Sequence, residues 1–196
     1  MHFSHFAVAL ATLAGTAWAD FPSSWGPPIG GGSGGSSGGL GANTNGTCND
    51  LNFPGLNCVA PADVDRFVSG YTYLLEFPGG PDFNSTAEDI LAANNFTVQS
   101  DSIRTLSGLP LGEPAYPSRD VYIATQFVTP ALPTVTTIDT FASCNKIAWR
   151  WTATGIGSNA LPVNGIITFD IDTDNNQIQT VYSEFNTAAF ETDLGE

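Results

Sequence analysis

Histidine occurs only at positions 2 and 5 of the 196 residues, so the chain beyond them carries no imidazole. That absence removes a Ser-His or Cys-His nucleophile pair, an imidazole general base, and a His-ligated zinc or non-haem iron centre. Any proton transfer falls to Asp, Glu, Tyr, Lys or water. Basic charge is nearly as scarce: five Lys and Arg stand against nineteen Asp and Glu, a formal charge of −14. Such a balance opposes nucleic-acid phosphates and anionic membrane surfaces, so neither is an expected partner. Charged residues make up 12% of the chain, against about 25% in ordinary soluble proteins. The surface must therefore be largely neutral and polar, which suits a secreted protein. No apolar run reaches the about 20 residues that a membrane span needs.

The N-terminal end is legible by composition. A short apolar stretch from Phe6 to Gly15 leads to Ala17-Trp18-Ala19 ahead of Asp20, the pattern of a signal peptide over residues 1–19, although no Lys or Arg precedes it. Residues 20–57 are dominated by Gly, Ser, Pro and Asn, with too little apolar area to offset the entropy of ordering; they read as a disordered tail. The folded domain is expected over 58–196.

Within that domain helices come first and strands follow. Val64, Phe67, Val68, Tyr71, Leu74 and Leu75 recur at helical spacing over 61–77, before Pro78-Gly79-Gly80-Pro81 stops the run. Ser85 to Glu88 matches a capping box and predicts a short helix running to about residue 93. Residues 96–100 read as a short strand and 108–117 as a loop. Residues 118–128 are ambiguous: their Val, Tyr, Ile and Phe favour a strand, while Ser118 can cap a helix. Residues 134–141 and 146–154 alternate as strands. Residues 166–171 and 178–185 form a hairpin around an Asp- and Asn-rich turn. This order predicts an α+β domain with helices on one face of a curved antiparallel sheet. The hairpin turn begins like a calcium loop, but its sixth position is Asn175 and its twelfth Val181, so it reads as turn chemistry and no metal is assigned.

Three cysteines allow one disulfide. Cys58 with Cys144 links distant elements and is preferred for the larger loop it closes, with Cys48 to Cys58 as the alternative. Asn45, Asn84 and Asn95 each begin a glycosylation sequon.

The succession of helix, short helix, NFTVQSDSI, CNKIAWRW, NGIITFDI and QIQTVYSEFNTAAF resembles the NTF2-like superfamily, the cone of ketosteroid isomerase, scytalone dehydratase and SnoaL-like polyketide cyclases. Small secreted fungal members of undetermined activity are especially similar. The resemblance implies about three helices on the concave side of the sheet, and with them a helix at 118–128. It also implies a homodimer through the sheet, and a cone that takes a small apolar molecule without a cofactor. Tyr71 matches the oxyanion-binding tyrosine of the isomerase and Asp101 lies near its catalytic aspartate, whereas its second oxyanion-hole acid is replaced by Ile167. Glu184 is a candidate substitute. Tyr71, Asp101 and Glu184 thus form one candidate catalytic set, for a lyase or isomerase. The alternative gives both acids structural roles, Asp101 capping its strand and Glu184 pairing with Arg150 or Arg104. Trp149 and Trp151 share one strand face with Ile147 and line either a ligand pocket or the core. A third reading is a non-catalytic interaction protein whose cone is filled by its own side chains.

Overall fold

The first helix, α1 (Pro61–Glu76), starts with Pro61 where a missing N–H is harmless, and turns Phe67, Tyr71 and Leu74 into the core. In this computed structural model, residues 58–158 and 161–195 are described. Residues 1–57 are outside them, and with these the expected signal segment and tail, Cys48 and Asn45. Helix α2 (Phe83–Ile90) follows with Phe83, Ala87 and Ile90 buried. It begins two residues before the expected capping box. Ser85 therefore lies inside the first turn, and its hydroxyl donates to the Asp82 carbonyl at 3.0 Å.

Strand β1 (Thr97–Gln99) leads directly into α3 (Asp101–Leu106), whose cap is the Ser100 hydroxyl accepting from the Ile103 amide at 3.0 Å. After the loop comes α4 (Arg119–Thr125), capped by Ser118, and its 3-10 continuation Gln126–Val128. The helical reading of 118–128 thus holds, because the Ser118 hydroxyl accepts from the Val121 amide and Tyr122 finds an interior to fill. Strands β2 (Thr134–Ser143), β3 (Lys146–Thr154), β4 (Val163–Asp172) and β5 (Gln177–Phe185) form consecutive antiparallel hairpins, and α5 (Thr187–Leu194) closes the described chain.

The sheet order is β1-β5-β4-β3-β2, and β1 joins β5 in parallel, pairing Val98 with Val181. The curved sheet is therefore mixed rather than wholly antiparallel. Register assigns its two faces. Ile147, Trp149 and Trp151 of β3 stand beside Ile167 and Phe169 of β4 on the inner face, all buried, while Ala148, Arg150, Ile166, Thr168, Tyr182 and Glu184 point outward. Phe169 touches the Tyr71 ring at 5.1 Å between centroids, which places α1 over the inner face.

Hydrogen bonds, ion pairs and a disulfide tie the helices to the sheet. Glu76 accepts from the Val135 amide at 2.8 Å. Arg66 pairs with Asp63 and Asp89 and donates to the Asn176 carbonyl at 2.7 Å, joining α1, α2 and the β4–β5 turn. Cys58 and Cys144 form a disulfide, with the Val59 amide donating to the Cys144 carbonyl at 2.7 Å beside it. In the β4–β5 turn, Asp172 accepts from both Asn175 donors and the Asp174 amide. The Asn175 side-chain amide foremost, then its backbone N–H, holds that carboxyl below its usual range.

Candidate functional site

Tyr122 stands at the centre of the interior. Its ring meets Tyr71 from α1 at 6.4 Å, Phe83 from α2 at 6.1 Å, Phe96 at 5.8 Å and, edge-on, Tyr116 at 5.3 Å between centroids. Through Tyr71 this group continues to Phe169 and then to Trp149, which stacks on Phe169. Five elements, the segment before β1 and the loop before α4 thus supply a continuous aromatic interior. Such rings bury large area and favour offset or edge contacts with flat partners.

Among the polar atoms at this interior are buried donors without an acceptor. Tyr122 is 3% exposed and Gln126 4%. The Gln126 Nε2 has no hydrogen-bond partner, while the Tyr122 hydroxyl is turned to that of Tyr71. Arg119 donates through Nη1 to the Leu91 carbonyl at 3.2 Å, while its buried Nε has no partner. Positions 119, 122 and 126 recur at three- and four-residue spacing, so one face of α4 and its 3-10 continuation carries all three groups. Burial is the main reason the Tyr71 and Tyr122 phenols are pushed above their ordinary pKa, and Tyr116 adds to it in both; the hydrogen bond between the two raises Tyr122 and offsets part of the rise at Tyr71. A buried donor left without an acceptor costs about 1–3 kcal/mol.

Of the candidate catalytic set, Asp101 and Glu184 meet at the start of α3, while Tyr71 lies apart in the interior. Tyr71 faces inward from α1. Glu184 lies on the outer face opposite Ile166 and accepts from the Asp101 amide at 2.8 Å, the Ser102 amide at 3.0 Å and the Ser102 hydroxyl. Its carboxylate is the anchor for the start of α3, where free amides and the helix dipole favour an anion. Asp101 is the first residue of that helix, not the end of a strand, and its side chain accepts from the Gly112 amide at 3.0 Å. Both acids thus have structural work, with partners other than those expected. Arg150 pairs with Asp139 instead, and Arg104 donates to the Pro110 and Pro114 carbonyls. Ile167 is buried on the inner face between Trp149 and Ser183 in register.

Trp149 and Trp151 are both buried on the inner face. Trp149 donates from Nε1 to the Thr137 hydroxyl at 3.0 Å and borders the aromatic interior, while Trp151 packs toward Phe185 and α5. Gln126 and Arg119 were not read from the sequence as site residues. The available signal was their spacing from Tyr122 once Ser118 is taken as a cap. Among the described residues, no group of three or more His, Cys, Asp or Glu is placed to hold a metal ion.

A sequence model of the NTF2-like domain matches residues 57–196. The chain belongs to the NTF2-like family. No curated protein matches it. Among solved structures, the NTF2-like domain is similar to IdmH from Streptomyces antibioticus, described as a candidate polyketide cyclase, with a TM-score of 0.53 at 14% identity, covering 68% of this chain and 99% of that one. It is also similar to an NTF2-like protein of unknown function from Burkholderia pseudomallei, with a TM-score of 0.50 at 12% identity, covering 68% and 98%. A third is a candidate SnoaL-like polyketide cyclase from Shewanella putrefaciens, with a TM-score of 0.50 at 8% identity, covering 69% and 87%. At such identities the likeness concerns the fold, and the NTF2-like fold hosts many unrelated activities.

Proposed function

We propose that the NTF2-like domain binds a small, flat, largely apolar molecule in its aromatic interior, and that this molecule presents an acceptor oxygen to α4. The observation that carries the reading is the buried, unpartnered donor Gln126 Nε2, on the same helical face as the Tyr122 phenol that meets Tyr71. A ligand carbonyl would relieve the cost of leaving Gln126 Nε2 unpaired and could also accept from Tyr122, while the surrounding rings supply apolar contact. The carboxylate-dependent lyase or isomerase reading loses support, because Glu184 faces outward and Asp101 is tied to the α3 loop.

The test uses 9-fluorenone and fluorene, which share one planar skeleton and differ in a carbonyl, with binding to the full chain followed by tryptophan fluorescence. Fluorenone is expected to bind about 5- to 100-fold more tightly, the range a buried hydrogen bond supplies. Gln126→Leu combined with Tyr122→Phe should remove that advantage. If neither compound binds, the reading fails.

The same proposal takes the protein to be secreted and N-glycosylated. Support comes from the Cys58–Cys144 disulfide and from the exposure of Asn84 and Asn95. Mass loss on enzymatic deglycosylation of protein from a eukaryotic host, mapped to those two sites, is the expected result.

A further inference from the structure

Positive charge is scarce in this chain, and almost all of it has a partner. Among the described residues, Arg66, Lys146 and Arg150 each pair with a carboxylate, and Arg104 donates to the Pro110 and Pro114 carbonyls. Arg119 stands apart. Its Nη1 donates to the Leu91 carbonyl at 3.2 Å, its Nε is buried without an acceptor, and no described carboxylate pairs with it, the exposed Asp120 beside it included. It is also the first residue of α4, where the helix dipole disfavours a cation. A half-buried guanidinium without a counter-charge works against stability, and such local inconsistency is the mark of a functional position.

We infer that Arg119 takes the anionic end of the ligand, and that the ligand is an elongated, flat, apolar acid with its carboxylate at Arg119 and a neutral acceptor oxygen at Gln126. This rests on the reading of the aromatic interior as a binding site. Two donors without acceptors mark the ends of one helical face: Arg119 Nε and, seven residues on, Gln126 Nε2, whose residue is 4% exposed. Seven residues of helix amount to about 10 Å. Between them stands the Tyr122 ring, in contact with Phe83, Phe96 and Tyr116. The order donor, rings, donor matches an aromatic rod with oxygen at both ends. Leu91 engages Nη1 and leaves the other edge of the guanidinium, Nε with Nη2, without a partner among the described residues. That edge carries two parallel N–H groups, the geometry that holds both oxygens of a carboxylate.

The test compares 4′-acetylbiphenyl-4-carboxylate with 4′-acetylbiphenyl-4-carboxamide, which share size, shape and the acetyl oxygen and differ in charge, by calorimetric titration of the full chain near neutral pH. The carboxylate is expected to bind about 10- to 100-fold more tightly, the range of a charge-assisted hydrogen bond. Arg119→Gln should bring the two to equal affinity while the carboxamide still binds. Arg119→Lys keeps the charge without the fork and should retain a smaller preference. A residue that only tied α4 to Leu91 would change Tm and leave the ratio of affinities as it was. Equal binding of the two compounds by the unaltered protein overturns the inference and leaves the apolar site standing. A preference that persists in Arg119→Gln also overturns it, since the anion then sits elsewhere. If the Gln variant does not fold, Arg119→Lys decides, and an undiminished ratio overturns the inference. If neither compound binds, the inference falls together with the reading beneath it.

Discussion

Gly165 stands opposite Trp151 in register, and a Cβ added there would lie 2.4 Å from the indole Cζ2. The glycine is what lets that ring lie flat across β4. Gly165→Ala should cost about 1–3 kcal/mol by overpacking, read as a lower urea midpoint with an unchanged slope. The buried phenols give a second expectation at this scale. Because burial raises the folded-state pKa of Tyr71 and Tyr122 above the ordinary value of 10.0, the unfolded chain loses those protons first as pH rises. Their contribution to stability is complete below about pH 10 and declines above it. Absorbance at 295 nm should show these two tyrosines ionising only together with unfolding. Tyr71 was legible in the sequence as an inward-facing residue of α1, and helical periodicity sufficed for that. The outward direction of Glu184 was not, since alternation along a strand fixes that neighbours oppose each other and leaves open which face meets the helices.

At the scale of the element, caps separate what was readable from what was not. Ser118 announced α4, and replacing it with Ala should cost about 1 kcal/mol. Ser85→Ala should stay within about 0.5 kcal/mol, because Ser85 sits inside α2 and no side-chain cap bond occurs at Asp82. Comparing the two variants in one denaturant series checks both statements. Helices α3 and α5 escaped the sequence reading for a physical reason. With six and eight residues they are too short to display two turns of apolar period, and each depends on its docking: α3 on the Glu184 carboxylate, α5 on Phe190 against Phe185. Glu184→Gln removes one acceptor oxygen from a three-donor site and should cost about 0.5–2 kcal/mol, with the change in amide exchange concentrated in α3.

For the molecule as a whole, the run of antiparallel hairpins followed from local alternation, whereas the parallel docking of β1 on β5 did not. Three residues carry too little pattern to name a partner about eighty positions away, and β1 finds its place through the core that Val98 and Val181 share. The disulfide was legible because its loop length argued for it. Its sequence separation is 86, and in the chain-entropy model a closed loop of that size contributes about 4–5 kcal/mol. Reduction should lower the denaturant midpoint accordingly. The bond also closes residues 58–144 into a ring, from which the chain continues on both sides. Helices α1 to α4 and strands β1 and β2 belong to the ring, while β3, β4, β5 and α5 hang from it by the single strand that leaves Cys144. A protease cut in the exposed loop 107–113 should therefore leave one covalent two-chain molecule on a non-reducing gel. A cut at 155–158 should leave the last hairpin held by the sheet alone and release it on denaturation.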